Sequence, residues 1–132
     1  MQTESLAVGS ELPPVVKQIT QDKIARYADA SGDHNPLHID PDFAAKTQFD
    51  GTIAHGMLVL AYLSEMLTGA FGKRWLNSGR LKIRFRAPAR PGDTITATGT
   101  VTAVDDGSVS CNIECKNQTG ETLISGQATV SS

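Results

Sequence analysis

The sequence is poor in the residues that build disulfide-rich scaffolds, metal centres and basic binding surfaces. It has two cysteines and three histidines among 132 residues, and aromatic side chains make up only 5%. Basic residues are not in excess, because twelve Lys and Arg stand against fourteen Asp and Glu. The low cysteine count excludes a disulfide framework. The charge balance argues against a nucleic-acid-binding or membrane-surface protein.

Targeting signals and nucleotide motifs are also missing. The N-terminus has no basic start followed by an apolar run, so no signal peptide is indicated. No P-loop or dinucleotide-binding glycine pattern is present. Cys111 and Cys115 are four residues apart in a segment with strand periodicity, which separates them by about 13 Å, beyond the reach of a disulfide. We therefore predict two buried free thiols and a cytoplasmic protein.

The composition is that of an ordinary globular protein, with 39% hydrophobic and 20% charged residues. The length predicts a single domain over residues 1–132, with residues 1–9 as a loose N-terminal tail. A short extended stretch opens at Pro13-Pro14 and covers residues 15–19. Thr20 is a candidate N-cap for a helix that ends at Gly32.

Proline placement predicts the next segments. Residues 33–40 are expected to form a loop, because Pro36 lacks a donor and disfavours helix at the residue before it. Asp40 followed by Pro41 is typical of an N-cap and the first position of a short helix.

Residues 53–70 are the most apolar segment of the chain. A membrane span is disfavoured, because His55, Ser64 and Glu65 interrupt the segment and its length is near the lower limit for spanning. A helix that is apolar nearly all round is otherwise buried inside a protein. We therefore predict a long central helix here, enclosed on nearly all sides.

The rest of the chain alternates apolar and polar residues as antiparallel strands do, with turn signals between the segments. The alternating segments start near Arg80, Thr94, Val109 and Ile124. A sheet of about five strands with one dry face could wrap around the central helix, which gives an α+β fold. An open sheet edge would remain, and pairing of edges in a dimer is one way to cover it.

One polar cluster carries candidate chemistry. Asp33 and His38 are two proton-transfer groups in one short segment, with Asn35 between them. Gly56 lies at the start of the predicted central helix, where free backbone N–H groups favour developing negative charge. This combination suits proton transfer next to a carbonyl group.

Each of these features has a simpler explanation. The Asp33 segment could be turn chemistry alone, and His55 could serve only to orient the helix start. His34 is expected to face solvent. His34 and His38 have a metal-like spacing, but Pro36 between them breaks a helix, so no metal site is predicted. The residues at the sixth and twelfth positions from Asp33 do not fit a calcium loop either.

The strand after the central helix has a basic face. Its default interpretation is a solvated outer surface, and the alternative is a landing surface for a phosphorylated carrier. The residues that form it are Arg80, Lys82, Arg84, Arg86 and, beyond the strand, Arg90.

Three motifs follow one another along the chain: Tyr27-Ala28-x-x-Ser31-Gly32-Asp33-x-Asn35-Pro36-Leu37-His38-x-Asp40, Ala54-His55-Gly56-Met57 and Phe85-Arg86-Ala87-Pro88-x-Arg90-Pro91-Gly92-Asp93. Together they resemble the MaoC-like hydratase family, most closely its single-domain (R)-specific enoyl-CoA hydratases. The resemblance extends from about residue 15 to residue 130.

The resemblance implies a hot-dog fold, usually a dimer, and a hydro-lyase that adds water reversibly to trans-2-enoyl-CoA to give (3R)-hydroxyacyl-CoA. It implies Asp33 and His38 as the catalytic pair, Asn35 as a supporting amide and Gly56 as the oxyanion-hole donor. It implies no metal and no cofactor beyond the coenzyme A of the substrate. The residues expected to contact substrate are His55, Met57, Ser64, Arg84 and Arg86.

Other functions remain open at this point. The same fold could dehydrate (3R)-hydroxyacyl groups on acyl carrier protein, whose acidic surface would suit the basic strand. A hot-dog thioesterase would need an acid within the central helix, and Glu65 is the only candidate. A non-catalytic acyl-CoA-binding module would bind without turnover.

Overall fold

A computed structural model describes residues 6–131 as one five-stranded antiparallel sheet with five helices. The strands are β1 (Val15–Gln18), β2 (Arg80–Phe85), β3 (Thr94–Asp105), β4 (Ser108–Lys116) and β5 (Thr122–Ser131). The helices are α1 (Gln21–Ser31), α2 (Pro36–Ile39), α3 (Pro41–Ala45), α4 (Gly56–Phe71) and α5 (Lys73–Ser78).

The sheet has the order β1-β3-β4-β5-β2, so β1 and β2 are its edges. Helix α4 packs against β1, β3, β4 and β5. Alternate residues of the central strands point at this helix and are fully buried, among them Ile95, Ala97 and Val101 on β3 and Cys111 and Cys115 on β4. Both cysteines are free. The arrangement confirms the predicted hot-dog fold and the predicted buried thiols.

Helix α1 follows the sequence prediction closely. Its N-cap is Thr20, whose side chain accepts a hydrogen bond from the Lys23 N–H. Gly32 ends the helix in the left-handed conformation, with φ of 78°. Ile24 and Ala28 are its buried residues, as expected for a helix with one apolar face.

The predicted loop over residues 33–40 is wrong in its second half, because α2 begins at Pro36. Proline at the first position of a helix costs no hydrogen bond. Asn35 caps this helix by accepting a bond from the Leu37 N–H at 3.0 Å. The predicted short helix after Asp40 is confirmed as α3, with the Asp40 carboxylate as its cap.

The central helix starts at Gly56 rather than at residue 53. Residues 53–55 lie outside any helix or strand, and the Ala54 N–H donates to the Ala89 carbonyl at 2.8 Å. The helix also has one exposed side, contrary to the expectation of cover nearly all round: Met57 is 57% exposed, and Ala61 and Glu65 face outwards as well. Among residues 6–131, no helix is both long enough and apolar enough to cross a bilayer.

The predicted loose tail over residues 1–9 lies partly outside the described residues. Within them, residues 6–9 are not loose, because Leu6 is buried and the Gly9 N–H donates to the Val101 carbonyl at 2.8 Å. Backbone hydrogen bonds hold Gly9, Ser10 and Leu12 along the edge of β3.

Candidate active site

The loop between α1 and α2 places the predicted acid and the predicted histidine side by side. Gly32 turns the chain out of α1, so that Asp33 follows in an exposed position. The Asn35 backbone N–H donates to Asp33 Oδ1 at 3.3 Å. The cap on α2 then brings His38, in the last turn of that short helix, back toward Asp33.

His38 is almost buried, at 9% exposure, and its orientation is fixed by a backbone carbonyl. Its Nδ1 lies 2.8 Å from the Ile53 carbonyl oxygen. Because a carbonyl oxygen can only accept, Nδ1 is the nitrogen that carries hydrogen. The other nitrogen, Nε2, is left with the lone pair that could take a proton.

Asp33 and His38 lie in one cleft with His55. A carboxylate oxygen of Asp33 and one ring nitrogen from each histidine lie within 4.8 Å of one another. The cleft has a volume of about 270 Å³, and its other lining residues are Tyr27, Ser31, Gly56 and Met57.

Gly56 brings a backbone donor to the same cleft. It is the first residue of α4, and its N–H has no partner within the described part of the chain. Such free N–H groups at a helix start, together with the helix dipole, favour negative charge. The site therefore combines a carboxylate, an imidazole and a candidate oxyanion donor.

Gly56 also borders a second, more apolar cleft of about 300 Å³. Phe85, at the end of β2, forms part of its wall. A Cβ on Gly56 would lie 2.9 Å from Phe85 Cε1, so the ring lies directly against the glycine. The remaining wall is mostly aliphatic and includes Ile53, Val59, Ala87 and Ile124. An apolar chain attached to a group bound at Gly56 would fit this cleft.

Two of the predicted substrate contacts lie in a different groove. Arg84 points to the opposite face of β2 from Phe85. It lines a groove of about 380 Å³ together with Lys82 and with Arg86, which follows the strand. Arg86 Nε donates to Ser125 Oγ at 2.6 Å. This groove shares no lining residue with the Asp33 cleft.

Ser64 and Glu65 also lie outside the Asp33 cleft. Ser64 lines neither the Asp33 cleft nor the apolar cleft, and its Oγ accepts a bond from Trp75 Nε1 at 3.1 Å. Glu65 is half exposed and forms an ion pair with Lys17 at 3.1 Å. The acid that a thioesterase would require is therefore engaged on the surface.

His34 faces solvent, as predicted, and pairs with Asp29 at 2.9 Å. The hydrogen bond to the Asp29 carboxylate raises the pKa of His34. Since His34 does not line the Asp33 cleft, the pair belongs to the surface of α1.

Three contributors to the site were not singled out from the sequence for this role. Tyr27 packs its ring against His55 with centroids 4.8 Å apart. Phe85 covers Gly56, and the Ile53 carbonyl orients His38. Tyr27 and Phe85 belong to the motifs that resemble the hydratase family, which is the signal that could have indicated them. A backbone carbonyl gives no such signal.

Comparison with known proteins shows which family has this arrangement. The sequence model of one protein family, the MaoC like domain, matches residues 7–122. This chain belongs to the MaoC-like family. The (R)-specific enoyl-CoA hydratase of Rhodospirillum rubrum is 37% identical over 122 residues, which cover 88% of this chain and 81% of that protein.

The MaoC-like fold is seen in a solved structure that matches nearly the whole chain. The (R)-hydratase from Aeromonas caviae involved in PHA biosynthesis superposes with a TM-score of 0.85 and 31% identity, over 98% of each chain. The 3-hydroxyacyl-thioester dehydratase Z of Mycobacterium tuberculosis is 41% identical over 92 residues, 67% of this chain. This match spans only 61% of the length of that dehydratase.

Proposed function

We propose that this protein is a hydro-lyase that adds water reversibly to a trans-2-enoyl thioester and yields the (3R)-hydroxyacyl thioester. The proposal is carried by one observation: the Asp33 carboxylate, the His38 ring and the unpartnered Gly56 N–H line the same cleft. The names of relatives that are similar over most of the chain, (R)-specific enoyl-CoA hydratases, support the same reaction.

In this mechanism Gly56 activates the substrate. Its N–H donates to the thioester carbonyl oxygen, which becomes negative as the enolate-like transition state forms. A donor aimed at developing charge is worth about 100- to 1,000-fold in rate. Phe85 excludes water from one side of the same position, which strengthens the interaction.

Asp33 and His38 carry the protons. A water molecule between them loses one proton to the pair as its oxygen bonds to the β-carbon, and the pair returns one proton to the α-carbon. His38 can accept at Nε2, since its Nδ1 is bound to Ile53. The two groups act as one coupled system, so the step is assigned to the pair and not to either residue.

Asn35 supports the pair in two ways. Its backbone N–H binds Asp33 Oδ1, and its side-chain oxygen caps the helix that carries His38. The side-chain NH₂ remains as the amide donor that the family resemblance implies for the water or the carboxylate.

We propose that the apolar cleft beside Gly56 takes the acyl or pantetheine part of the substrate. Met57, at the exposed mouth of the Asp33 cleft, would contact the same ligand. Arg84 and Arg86 are proposed to bind phosphate groups of coenzyme A in the basic groove of β2. Ser64 is bonded to Trp75, so its predicted contact with the acyl chain would require that bond to open.

Coenzyme A is the proposed carrier, because it is part of the names of two relatives that are similar over most of the chain. Acyl carrier protein is the second candidate, and the basic groove on β2 is the observation that favours it. We also propose a homodimer that covers an open sheet edge, since β1 and β2 are the edge strands of the sheet that residues 6–131 form.

The test measures hydration of crotonyl-CoA and of a longer enoyl-CoA. The loss of enoyl-thioester absorbance gives the rate, and chiral analysis gives the configuration of the product. We expect turnover to the (3R) product. The rate should fall about 100- to 10,000-fold in Asp33→Asn and in His38→Gln, and chelation of metals should not lower it. Glu65→Gln is the matched control and should retain full activity, because Glu65 lies outside the cleft. Light scattering should give twice the 14.0 kDa of one chain.

The opposite results would each redirect the assignment. Thioester hydrolysis that survives Asp33→Asn and is lost in Glu65→Gln would indicate a thioesterase. Turnover of substrates on acyl carrier protein, with no turnover of CoA esters, would indicate that acyl carrier protein and not coenzyme A is the carrier. Tight binding of enoyl-CoA without turnover would contradict the hydro-lyase assignment and indicate a binding module.

A further inference from the structure

His55 is the innermost side chain of the cleft. It is only 2% exposed, less than His38 at 9%. Its ring stacks on His38 with centroids 3.8 Å apart and an interplanar angle of 24°. On another side it meets the tilted ring of Tyr27. His55 is thus enclosed by aromatic rings and is poorly placed to touch a substrate.

One hydrogen bond fixes the state of the His55 ring. Its Nε2 lies 2.9 Å from the backbone carbonyl oxygen of Asp33. Because that oxygen only accepts, Nε2 is the nitrogen that carries hydrogen. Its Nδ1 is buried and has no hydrogen-bond partner among residues 6–131, so a proton there would have no acceptor.

His38 is fixed in the opposite sense. Its Nδ1 donates to the carbonyl of Ile53, two residues before His55 in the segment that leads into α4. The backbone of this segment and the ring of His55 therefore contact both members of the proposed catalytic pair. His55 binds the main chain of Asp33 and covers one face of His38.

We propose that His55 is a positioning residue for the Asp33–His38 pair, acting through its Nε2–H bond to Asp33 and its stacking on His38, and not a substrate contact. This inference rests on the proposed hydro-lyase function. The Asp33 carboxylate is exposed, and the loop around it contains Gly32, so its position depends on such tethers. A displacement of about 1 Å in a reacting group can cost about 100-fold in rate.

Two substitutions separate the two contacts. His55→Phe keeps an aromatic ring beside His38 and removes the donor to Asp33. His55→Gln keeps a donor of similar reach and removes the ring. We expect kcat to fall about 10- to 100-fold in His55→Phe with KM changed less than about twofold. His55→Gln should recover part of the loss if the donor is the more important contact.

The controls are a substitution at a neighbouring cleft residue and a direct observation of the rings. Met57→Leu, at the exposed mouth, should change KM rather than kcat, as a substrate contact does. In ¹⁵N-detected spectra of the wild type, His55 should show hydrogen on Nε2 and His38 should show hydrogen on Nδ1. The His38 ring signals should shift in His55→Gln, where the stacked ring is lost.

The outcomes are distinguishable from failure of the proposed function. If the wild type hydrates enoyl-CoA and His55→Phe raises KM with kcat unchanged, His55 is a substrate contact and the inference is overturned. Hydrogen on Nδ1 of His55 in the wild type would overturn it even without an assay. If no thioester is turned over but the ring signals are as expected, the proposed function fails, while the contacts of His55 with Asp33 and His38 are confirmed.

Discussion

At the scale of single residues, the most constrained position in the site is Gly56. It begins α4, its N–H has no partner among residues 6–131, and a Cβ on it would lie 2.9 Å from Phe85 Cε1, so that the ring would have to shift. The residue before it, His55, is extended, with φ of −59° and ψ of 135°. This is polyproline II backbone, a conformation that a residue before proline can adopt. Proline could therefore replace Gly56 without a change in the backbone path.

Gly56→Pro tests the oxyanion donor, because it removes one N–H at a helix position that proline favours. We expect kcat for enoyl-CoA hydration to fall about 100- to 1,000-fold. Gly56→Ala is the matched control: it adds the same Cβ against Phe85 and keeps the N–H. Phe85 is 55% exposed and can move, so this control should fold and retain most of its activity.

The comparison of the two variants decides the role of the donor. Equal losses in Gly56→Pro and Gly56→Ala would mean that the displaced Phe85 ring, and not the missing N–H, limits the reaction. Circular dichroism of both variants would verify that α4 is intact. Full activity in Gly56→Pro would contradict the assignment of Gly56 as the oxyanion donor.

Part of the candidate site was predictable from the sequence. Residue type and spacing predict Asp33, His38 and Gly56 as site residues, and the structure places these three residues in one cleft; their roles in the reaction stay a prediction. The Ile53 carbonyl and the stacking of His55 on His38 were not predictable. A backbone carbonyl is present at every residue, so only the fold determines which one orients a ring.

At the scale of elements, two short helices differ from the sequence predictions. The expectation of a loop at residues 33–40 treated Pro36 as a helix breaker, but the Asn35 cap makes it the first residue of α2. Helix α5 was not predicted at all, because six residues are too few for an apolar period. It is held against α4 by the bond from Trp75 to Ser64.

The pairing of β2 with β5 depends on one glycine. Gly126 lies opposite Ile83, and a Cβ there would overlap the Lys82 carbonyl and lie 2.8 Å from Ile83 Cα. Since these are backbone atoms, relief requires β2 to move. We expect Gly126→Ala to lower the free energy of unfolding by about 1–3 kcal/mol. Displacement of β2 would also move Phe85.

A second glycine provides the control for that prediction. Gly69 lies inside α4, and a Cβ on it would meet nothing within 4 Å. Gly69→Ala should therefore raise the free energy of unfolding by about 0.5–1 kcal/mol, as alanine does in a helix interior. Urea titrations of the two variants should shift in opposite directions. A stabilised Gly126→Ala would show that β2 and β5 are not packed as closely as described.

At the scale of the whole molecule, sheet and central helix share one core. The core includes residues from α1, α4 and every strand from β3 to β5. The strand residues that face this core were predictable, because period-two alternation identifies the dry face of each strand. The exposed side of α4 was not, since residues 53–70 are apolar in nearly every direction and composition alone does not show which side the sheet leaves open.

The two cysteines report on this shared core. Cys111 and Cys115 lie on β4 between β3 and β5, at 1% and 0% exposure. Burial raises the pKa of Cys111 to about 11 and that of Cys115 to about 12. At pH 8 the native protein should therefore react with a thiol reagent only through global unfolding. Mass spectrometry should show both labels added together, at the rate measured for unfolding.

The same shift has a consequence at alkaline pH. The unperturbed pKa of these thiols is 9.0, and the folded values are higher, so the folded state retains protons that the unfolded state has lost. The contribution of these thiols to the free energy of unfolding is fully present below pH 9 and is lost as the pH rises through the folded pKa values. Between pH 9 and 11 the free energy of unfolding falls by about 1.4 kcal/mol per pH unit for each thiol. Replacing Cys111 by alanine should make this decline shallower.

The labelling experiment at pH 8 has one contrary outcome. Fast labelling of one thiol, with the other thiol protected, would show that β4 opens locally and that sheet and helix do not unfold as one unit.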